Sequence, residues 1–385
     1  MDFNFTDEQN ILRETVRKFM EKNVLPFQAE DEKNEHYRPE ITRKMAELGF
    51  FGCGIPEELG GNGMGYIEAA IIAEEIARVS GSYRVITNMQ NIGSSLTIKK
   101  FGTEEQKKLI PKWVTATALG YFAITEPNVG SDVASMGTTA IDKGDYWELN
   151  GSKNWISHST VADWGMIYAA TDRSQKSKGV SCFLVNLKET TGITVRAMEG
   201  PMGLHCMPIG EIYLEGVKVP KENVVGKVGD GFKICMWMLN NTRLACAAGA
   251  LGLDGAAVDA CIKYSNERVQ FGQKIGQYQM IQAQIAEMEA EHQAARLLVY
   301  QAAWLKDQGM PSQQQTCIAK MFASEAAVRA ANEAVKILGA YGYSREYPVE
   351  RILRDAKASQ IVEGSTNIQK MLISRIALGY AENRV

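Results

Sequence analysis

Histidine is scarce in this chain: there are four, at positions 36, 158, 205 and 292, and they form no cluster with ligand spacing. None of the seven cysteines belongs to a CxxC, so the sequence offers no structural zinc site. Their odd number does not suit a disulfide scaffold either. The expectation is buried thiols in a reducing compartment. An excess of one charge sign is also missing. With 42 Lys+Arg against 45 Asp+Glu the net charge is -3, which leaves no global electropositive field for nucleic acid. Long apolar runs are absent as well. The most apolar stretch, Leu244 to Leu253, ends at Asp254 and is about half of what a bilayer span needs. The opening MDFNFTDEQN is acidic and polar, unlike a secretory or transit peptide. The expectation is a cytoplasmic protein without a membrane span.

What is present is ordinary globular composition, 45% apolar and 23% charged. At roughly 150 residues per domain, 385 residues suggest two or three domains. Residues 1–120 read as helical. Thr6 is a candidate N-cap followed by Asp7 and Glu8, and Ile11, Leu12, Val16, Phe19 and Met20 recur at helical spacing. Ile67 to Val79 repeats that pattern until Ser80-Gly81. Residues 121–231 have β texture: short runs such as Val180 to Val185 and Ile212 to Leu214 alternate with turn signals such as Asn150-Gly151. Such spacing suggests a small barrel or sandwich, not βαβ units. Residues 232–385 are helical again, with long amphipathic patterns over Gln277 to Leu305 and Gln315 to Leu338, which favour a four-helix bundle.

The glycine-rich Gly226 to Gly231 lacks GxGxxG spacing and reads as a turn entering a helix; there is no GxxxxGK[ST]. Phe122-Ala-Ile-Thr-Glu-Pro-Asn-Val-Gly-Ser-Asp132 gathers hydroxyls, a proline turn and a glycine, and could bind the polar edge of a heterocycle or a phosphate. As pattern alone it is a decorated turn. In Trp155-Ile156-Ser157 the outer two side chains share one face of a strand, so one could cover a flat ring while the other donates to it. Taken alone, the pattern favours ordinary strand packing. Arg268-Val-Gln-Phe-Gly272 suits a pyrophosphate or adenine, or a helix-end salt bridge. In Ile361-Val-Glu-Gly-Ser-Thr-Asn367 a carboxylate sits among apolar neighbours, which disfavours its charge and tunes it towards a base. A helix-capping role is the other reading.

Together these segments resemble the acyl-CoA dehydrogenases, FAD-dependent flavoproteins, over essentially the whole chain. The resemblance implies an α+β multidomain fold: an N-terminal helical domain, a middle β-barrel-like domain and a C-terminal four-helix bundle. It implies that Ile124 and Thr125 bond the flavin ring, that Trp155 covers it, and that Ser157 sits near its N5. Ser131 would lie near the phosphates of FAD and CoA. Arg268, Phe271, Gln279 and the Lys336-to-Ala340 turn would hold the FAD of a neighbouring subunit, while Ser365 and Asn367 approach the cofactor beside the base. Asn240 and Arg243 would help bind the CoA substrate. Glu363 would be the catalytic base. Its N–H and a flavin ribityl hydroxyl would stabilise the enolate oxygen as the β-hydrogen leaves as hydride. The family further implies a homotetramer and electron-transferring flavoprotein as the electron acceptor.

The acyl group is a separate question. A buried arginine needs an anion, and Arg84, at the start of the helix that would line the acyl pocket, resembles the residue holding the distal carboxylate in glutaryl-CoA dehydrogenases. It could equally pair with a protein carboxylate. Decarboxylating members carry Glu and Tyr where this chain has Ala77 and Val362, so glutaryl-CoA would yield glutaconyl-CoA with CO2 retained. A cyclic acyl group, cyclohexane- or cyclohexene-carboxyl, would instead use Val85, Asn88, Ile92, Trp237 and Val362 as a compact, mostly apolar pocket; a short or branched fatty acyl group is a third reading, and Gly364, next to the base, would contact the substrate in any of them. A non-catalytic acyl-CoA-binding scaffold and a flavin oxidase or monooxygenase on the same fold are readings of other classes.

Overall fold

The computed structural model describes residues 3–384. The chain opens with α1 (Asp7–Asn23), α2 (Gln28–Asn34), α3 (Pro39–Glu47), α4 (Tyr66–Val79), α5 (Gly81–Asn88), α6 (Thr97–Phe101), α7 (Glu104–Lys107) and α8 (Ile110–Val114). Thr6 does cap α1: its side chain accepts from the Gln9 N–H, and the Gln9 side chain returns the bond to Thr6 N–H. Ser80 ends α4, but α5 starts at once, so the chain bends at a single extended residue between two helices. Between α5 and α6, Met89–Leu96 winds as a fully buried π-helix.

The sheet strands are β1 (Gly120–Ala123), β2 (Thr139–Asp142), β3 (Tyr146–Ser157), β4 (Trp164–Ala170), β5 (Val180–Asn186), β6 (Ile193–Ala197), β7 (Ile209–Pro220) and β8 (Val224–Val225). They form one sheet in the order β6-β7-β3-β2-β4-β5-β8, with β1 beside β4. Most neighbours are antiparallel, while β1 and β2 meet β4 in parallel. Trp147, Leu149, Ile156, Phe183 and Ile212 fill one apolar cluster against the sheet.

From Gly231 the chain is helical: α9 (Gly231–Glu267), a hairpin of β9 (Val269–Gln270) and β10 (Gln273–Lys274), then α10 (Gln279–Asp307), α11 (Gln313–Leu338), α12 (Val349–Ser359) and α13 (Thr366–Ala377). The ten-residue apolar run around Leu244 thus belongs to a 37-residue helix. By length and composition α9 could cross a membrane, but 78% of its most apolar window is buried inside the protein. It is the core helix against which α4, α10, α11 and α12 pack through Ala, Leu and Val side chains. Two glycines let it be approached closely. A methyl group on Gly252 would lie 2.1 Å from the Glu74 carbonyl oxygen of α4, and one on Gly249 would strike Arg84 of α5. All seven cysteines are free and buried.

Candidate active site

Glu363 stands in the link between α12 and α13 with φ +57°, followed by Gly364 at +90°. It precedes α13 and caps nothing; Ser365 takes the N-cap position without a side-chain cap bond. A left-handed non-glycine residue is strained and persists where its surroundings hold it. Here Arg243 Nε donates to the Glu363 carbonyl at 2.9 Å, and Gln369 Nε2 donates to it at 3.3 Å and to the Gly364 carbonyl at 2.7 Å. Lys320 Nζ adds a bond to the Gly364 carbonyl at 2.8 Å. No acceptor among the described residues takes the Glu363 N–H. This is the free donor that an oxyanion requires.

The Glu363 carboxylate accepts from Thr242 Oγ1 at 2.5 Å and from Asn88 Nδ2 at 3.4 Å. Burial raises its pKa above the ordinary glutamate value. The Thr242 hydrogen bond and the charges of Arg84, Arg243 and Lys320 oppose that rise. The balance is a carboxylate more basic than one in water yet still able to ionise. Arg84 lies one turn before Asn88 on α5 and is 5% exposed. Its Nε has no hydrogen-bond partner. Arg84 is also absent from every ion pair among the described residues. Asn88 Oδ1 and Asn240 Oδ1 are likewise buried without partners.

A second group converges at the sheet. Ile124 is buried at the end of β1, and its carbonyl accepts from Lys153 Nζ at 3.2 Å. Lys153, fully buried, also pairs with Glu126 at 2.8 Å, and Glu126 in turn accepts the Gly137 and Thr138 N–H groups. The Asn154 N–H donates to the Thr125 carbonyl at 2.9 Å. These bonds bring Ile124 and Thr125 beside Trp155 and Ser157. Trp155 has φ +59° at a register shift in β3, so this is a bulge and not plain alternation. Ile156 points inward, Trp155 is 54% exposed, and Thr125 and Ser157 are half-buried. A bare aromatic face flanked by two reachable hydroxyls fits the flat, polar-edged ring of a flavin. Ser131 is exposed on the same loop. His158, next to Ser157, is fully buried, and burial pushes its pKa down to about 3; it stays neutral. Among the described residues no group of His, Cys, Asp or Glu could hold a metal.

The remaining residues lie elsewhere. Arg268, Gln279, Lys336 and Ala340 are exposed, as is Phe271, at 97%, on the tip of the β9–β10 hairpin. Arg268 sits over the Tyr341 ring at 5.6 Å and not in a helix-end salt bridge; Lys336 pairs with Glu333. At 1.5 Å per residue, Arg268 is about 37 Å along α9 from Arg243. One chain therefore does not bring this group to Glu363. Asn367 is exposed in the first turn of α13. Val362 is partly exposed, whereas Val85 and Ile92 are packed into two different apolar clusters, and Trp237 stacks edge-on to Phe101. Sequence reasoning missed Thr242, Lys320 and Gln369. A lysine among the alanines of α11 was the one visible signal.

Comparison with known proteins agrees with this geometry. Residues 6–119, 121–217 and 229–378 match the N-terminal, middle and C-terminal domains of acyl-CoA dehydrogenase. A glutaryl-CoA dehydrogenase of Desulfococcus multivorans is 50% identical over 385 residues, covering 98% of each chain. Among solved structures, a chain of the glutaryl-coenzyme A dehydrogenase glutaryl-CoA complex superposes with TM-score 0.97 at 48% identity, covering 100% of this chain and 98% of that one. A chain from the work on the electron transferring flavoprotein of Acidaminococcus fermentans superposes with TM-score 0.96 at 39% identity, covering 98% and 100%. The chain belongs to the acyl-CoA dehydrogenase family, FAD-dependent oxidoreductases acting on acyl-CoA.

Proposed function

We propose that this acyl-CoA dehydrogenase oxidises glutaryl-CoA to glutaconyl-CoA and keeps the distal carboxylate. The observation that carries the reading is Arg84: a buried guanidinium, always charged, whose Nε has no hydrogen-bond partner and which forms no ion pair among the described residues. Leaving such a charge unpaired is costly, and an anionic acyl terminus removes the cost. A cyclohexyl or butyryl group would not. The glutaryl-CoA dehydrogenase from Desulfococcus multivorans, similar over the full length, supports the same substrate.

In this reading Glu363 takes the α-proton on its carboxylate. Thr242 and Asn88 aim that carboxylate, and the free Glu363 N–H meets the developing enolate oxygen. Arg84 holds the far end of the acyl chain. FAD, when bound over Trp155 between Thr125 and Ser157, supplies the acceptor for the β-hydride. Loss of CO2 would need polar groups near the distal carboxylate to manage its charge and proton. Ala77 is buried against α9, and Val362 is apolar; both support retention.

Phe271, Arg268 and Gln279, exposed and far from Glu363 in one chain, support a homotetramer in which each hairpin serves a neighbour's FAD. Electron-transferring flavoprotein is the proposed acceptor, and the buried free thiols are compatible with a cytoplasmic location. The test is anaerobic flavin bleaching with glutaryl-, cyclohexanecarboxyl- and butyryl-CoA, with CO2 measured per turnover. Glutaryl-CoA is expected to bleach fastest without CO2. Stoichiometric CO2, or preference for an uncharged acyl group, refutes the proposal. Glu363→Gln should keep its flavin and lose turnover; near-normal turnover removes Glu363 as the base.

A further inference from the structure

Resting on the glutaryl-CoA reading, we propose that Gly249 is a specificity-determining residue: its bare backbone seats Arg84 on α9, two helical turns from the anchor of the base, and so measures a five-carbon dicarboxylic acyl chain.

Gly249 lies in the interior of α9 and is not among the glycines with positive φ. A glycine there weakens the helix relative to alanine, so its presence calls for a packing reason. The reason is Arg84. A methyl group on Gly249 would come within 2.6 Å of Arg84 Nε, 2.7 Å of its Cδ and 3.1 Å of its Cγ. The whole stem of the arginine lies on the space a side chain would fill. Nε is buried and unbonded, so it is the contact with α9 that places this part of the arginine.

The same helix anchors the base. Thr242, which donates to Glu363 Oε2, precedes Gly249 by seven residues. Seven residues bring the two positions back to within about 20° of one face, separated by about 10.5 Å. Asn88, one turn or about 6 Å past Arg84 on α5, reaches Glu363 Oε1, so the arginine and the base are tied to each other through α5 as well as through α9. A base poised at its near-attack distance, an extended chain from Cα to the distal carboxylate of a glutaryl group, and one charge-assisted hydrogen bond together span about 11 Å. A succinyl chain falls short by one methylene, about 1.3 Å, and an adipyl chain overshoots by as much.

The test compares kcat/KM for glutaryl-CoA and butyryl-CoA in the FAD-loaded enzyme and in Arg84→Met, Gly249→Ala and the double variant. Gly249→Ala is expected to lower the glutaryl-to-butyryl ratio by at least about tenfold, mainly through KM, since misplacement by about 1 Å costs that much or more. The double variant should show the ratio of Arg84→Met alone, because a displaced arginine and an absent one are equivalent. If Gly249→Ala keeps the ratio that Arg84→Met loses, the seat is wrong while the glutaryl-CoA reading stands. If Arg84→Met itself keeps the ratio, that reading falls and takes the seat with it. Should Gly249→Ala fail to fold, the unaltered enzyme still decides. Among succinyl-, glutaryl- and adipyl-CoA, a maximum at glutaryl-CoA is expected, and a flat profile or a maximum at either neighbour overturns the proposal.

Discussion

Thr242→Val removes one hydrogen bond from the base and little else. Thr242 is fully buried, and its Oγ1 donates to Glu363 Oε2 at 2.5 Å. A hydrogen bond to a charged group contributes about 1.5–3 kcal/mol. Here it stabilises the ionised form alone, because a protonated Glu363 has less need of a donor. The loss therefore moves the carboxylate in the direction burial already pushes it, upward. Below the acid limb of the pH–rate profile the ionised fraction falls by the same free energy, roughly tenfold to a hundredfold. At high pH the carboxylate is ionised in both proteins, and Arg84, Arg243, Lys320 and Asn88 are untouched, so the plateau changes much less. The assay is kcat/KM for one acyl-CoA with a dye acceptor and saturating FAD, from about pH 5.5 to about pH 9. The variant's acid limb should lie to the alkaline side. A limb that stays in place, or an equal loss at every pH, refutes the assignment of Thr242 to the charge state of the base.

Lys153→Met leaves Glu126 buried without its partner, and breaking a buried pair costs about 3–5 kcal/mol. It also frees the Ile124 carbonyl. Both the melting temperature and the FAD retained on gel filtration should drop, and an unchanged FAD content would separate the pair from the flavin shelf. His292 lies in the bundle against Asp254, at 2.9 Å. Burial alone would lower its pKa, but the hydrogen bond and charge of Asp254 raise it above the ordinary value. A raised histidine stabilises fully below about pH 6.5 and loses that contribution as pH rises through the folded value. Between about pH 6 and pH 9 the urea midpoint of the native protein should therefore fall further than that of His292→Gln; parallel falls refute the coupling.

Local signals carried far in the sequence, and tertiary ones did not. The Thr6 capping box, the end of α4 at Ser80 and the long α10 and α11 patterns depend on residues within a few positions of one another. The parallel seat of β1 on β4 joins residues more than forty positions apart, and no turn signal announces it. The left-handed Glu363 was illegible for the same reason. Its conformation is held by Arg243, Lys320 and Gln369, two of them on other helices. α9 was underestimated because burial of its middle, residues 240–255, on every face erases helical periodicity. Asn240, Asn241, Thr242, Arg243 and Asp254 also break its hydropathy, although each is buried.

Charge counting around Glu363 points the same way as the unpaired arginine. Four cations, Arg84, Arg243, Lys306 and Lys320, are buried in this region. Lys306 donates to Asn241, and burial lowers its pKa to about 8; burial lowers Lys320 as well. Both lysines can shed their charge when the site is dry. The arginines cannot. Arg243 spends its Nε–H on the Glu363 carbonyl, and the single charge of the Glu363 carboxylate, which feels both arginines, can balance one of the two. A surplus of one permanent charge remains, and Arg84 is the arginine whose Nε has no hydrogen-bond partner. Proton transfer to Glu363 during turnover moves one negative charge from the carboxylate to the enolate and leaves that surplus as it was. A substrate that carries its own second negative charge closes the deficit before the chemistry starts. A neutral acyl chain leaves the deficit open throughout.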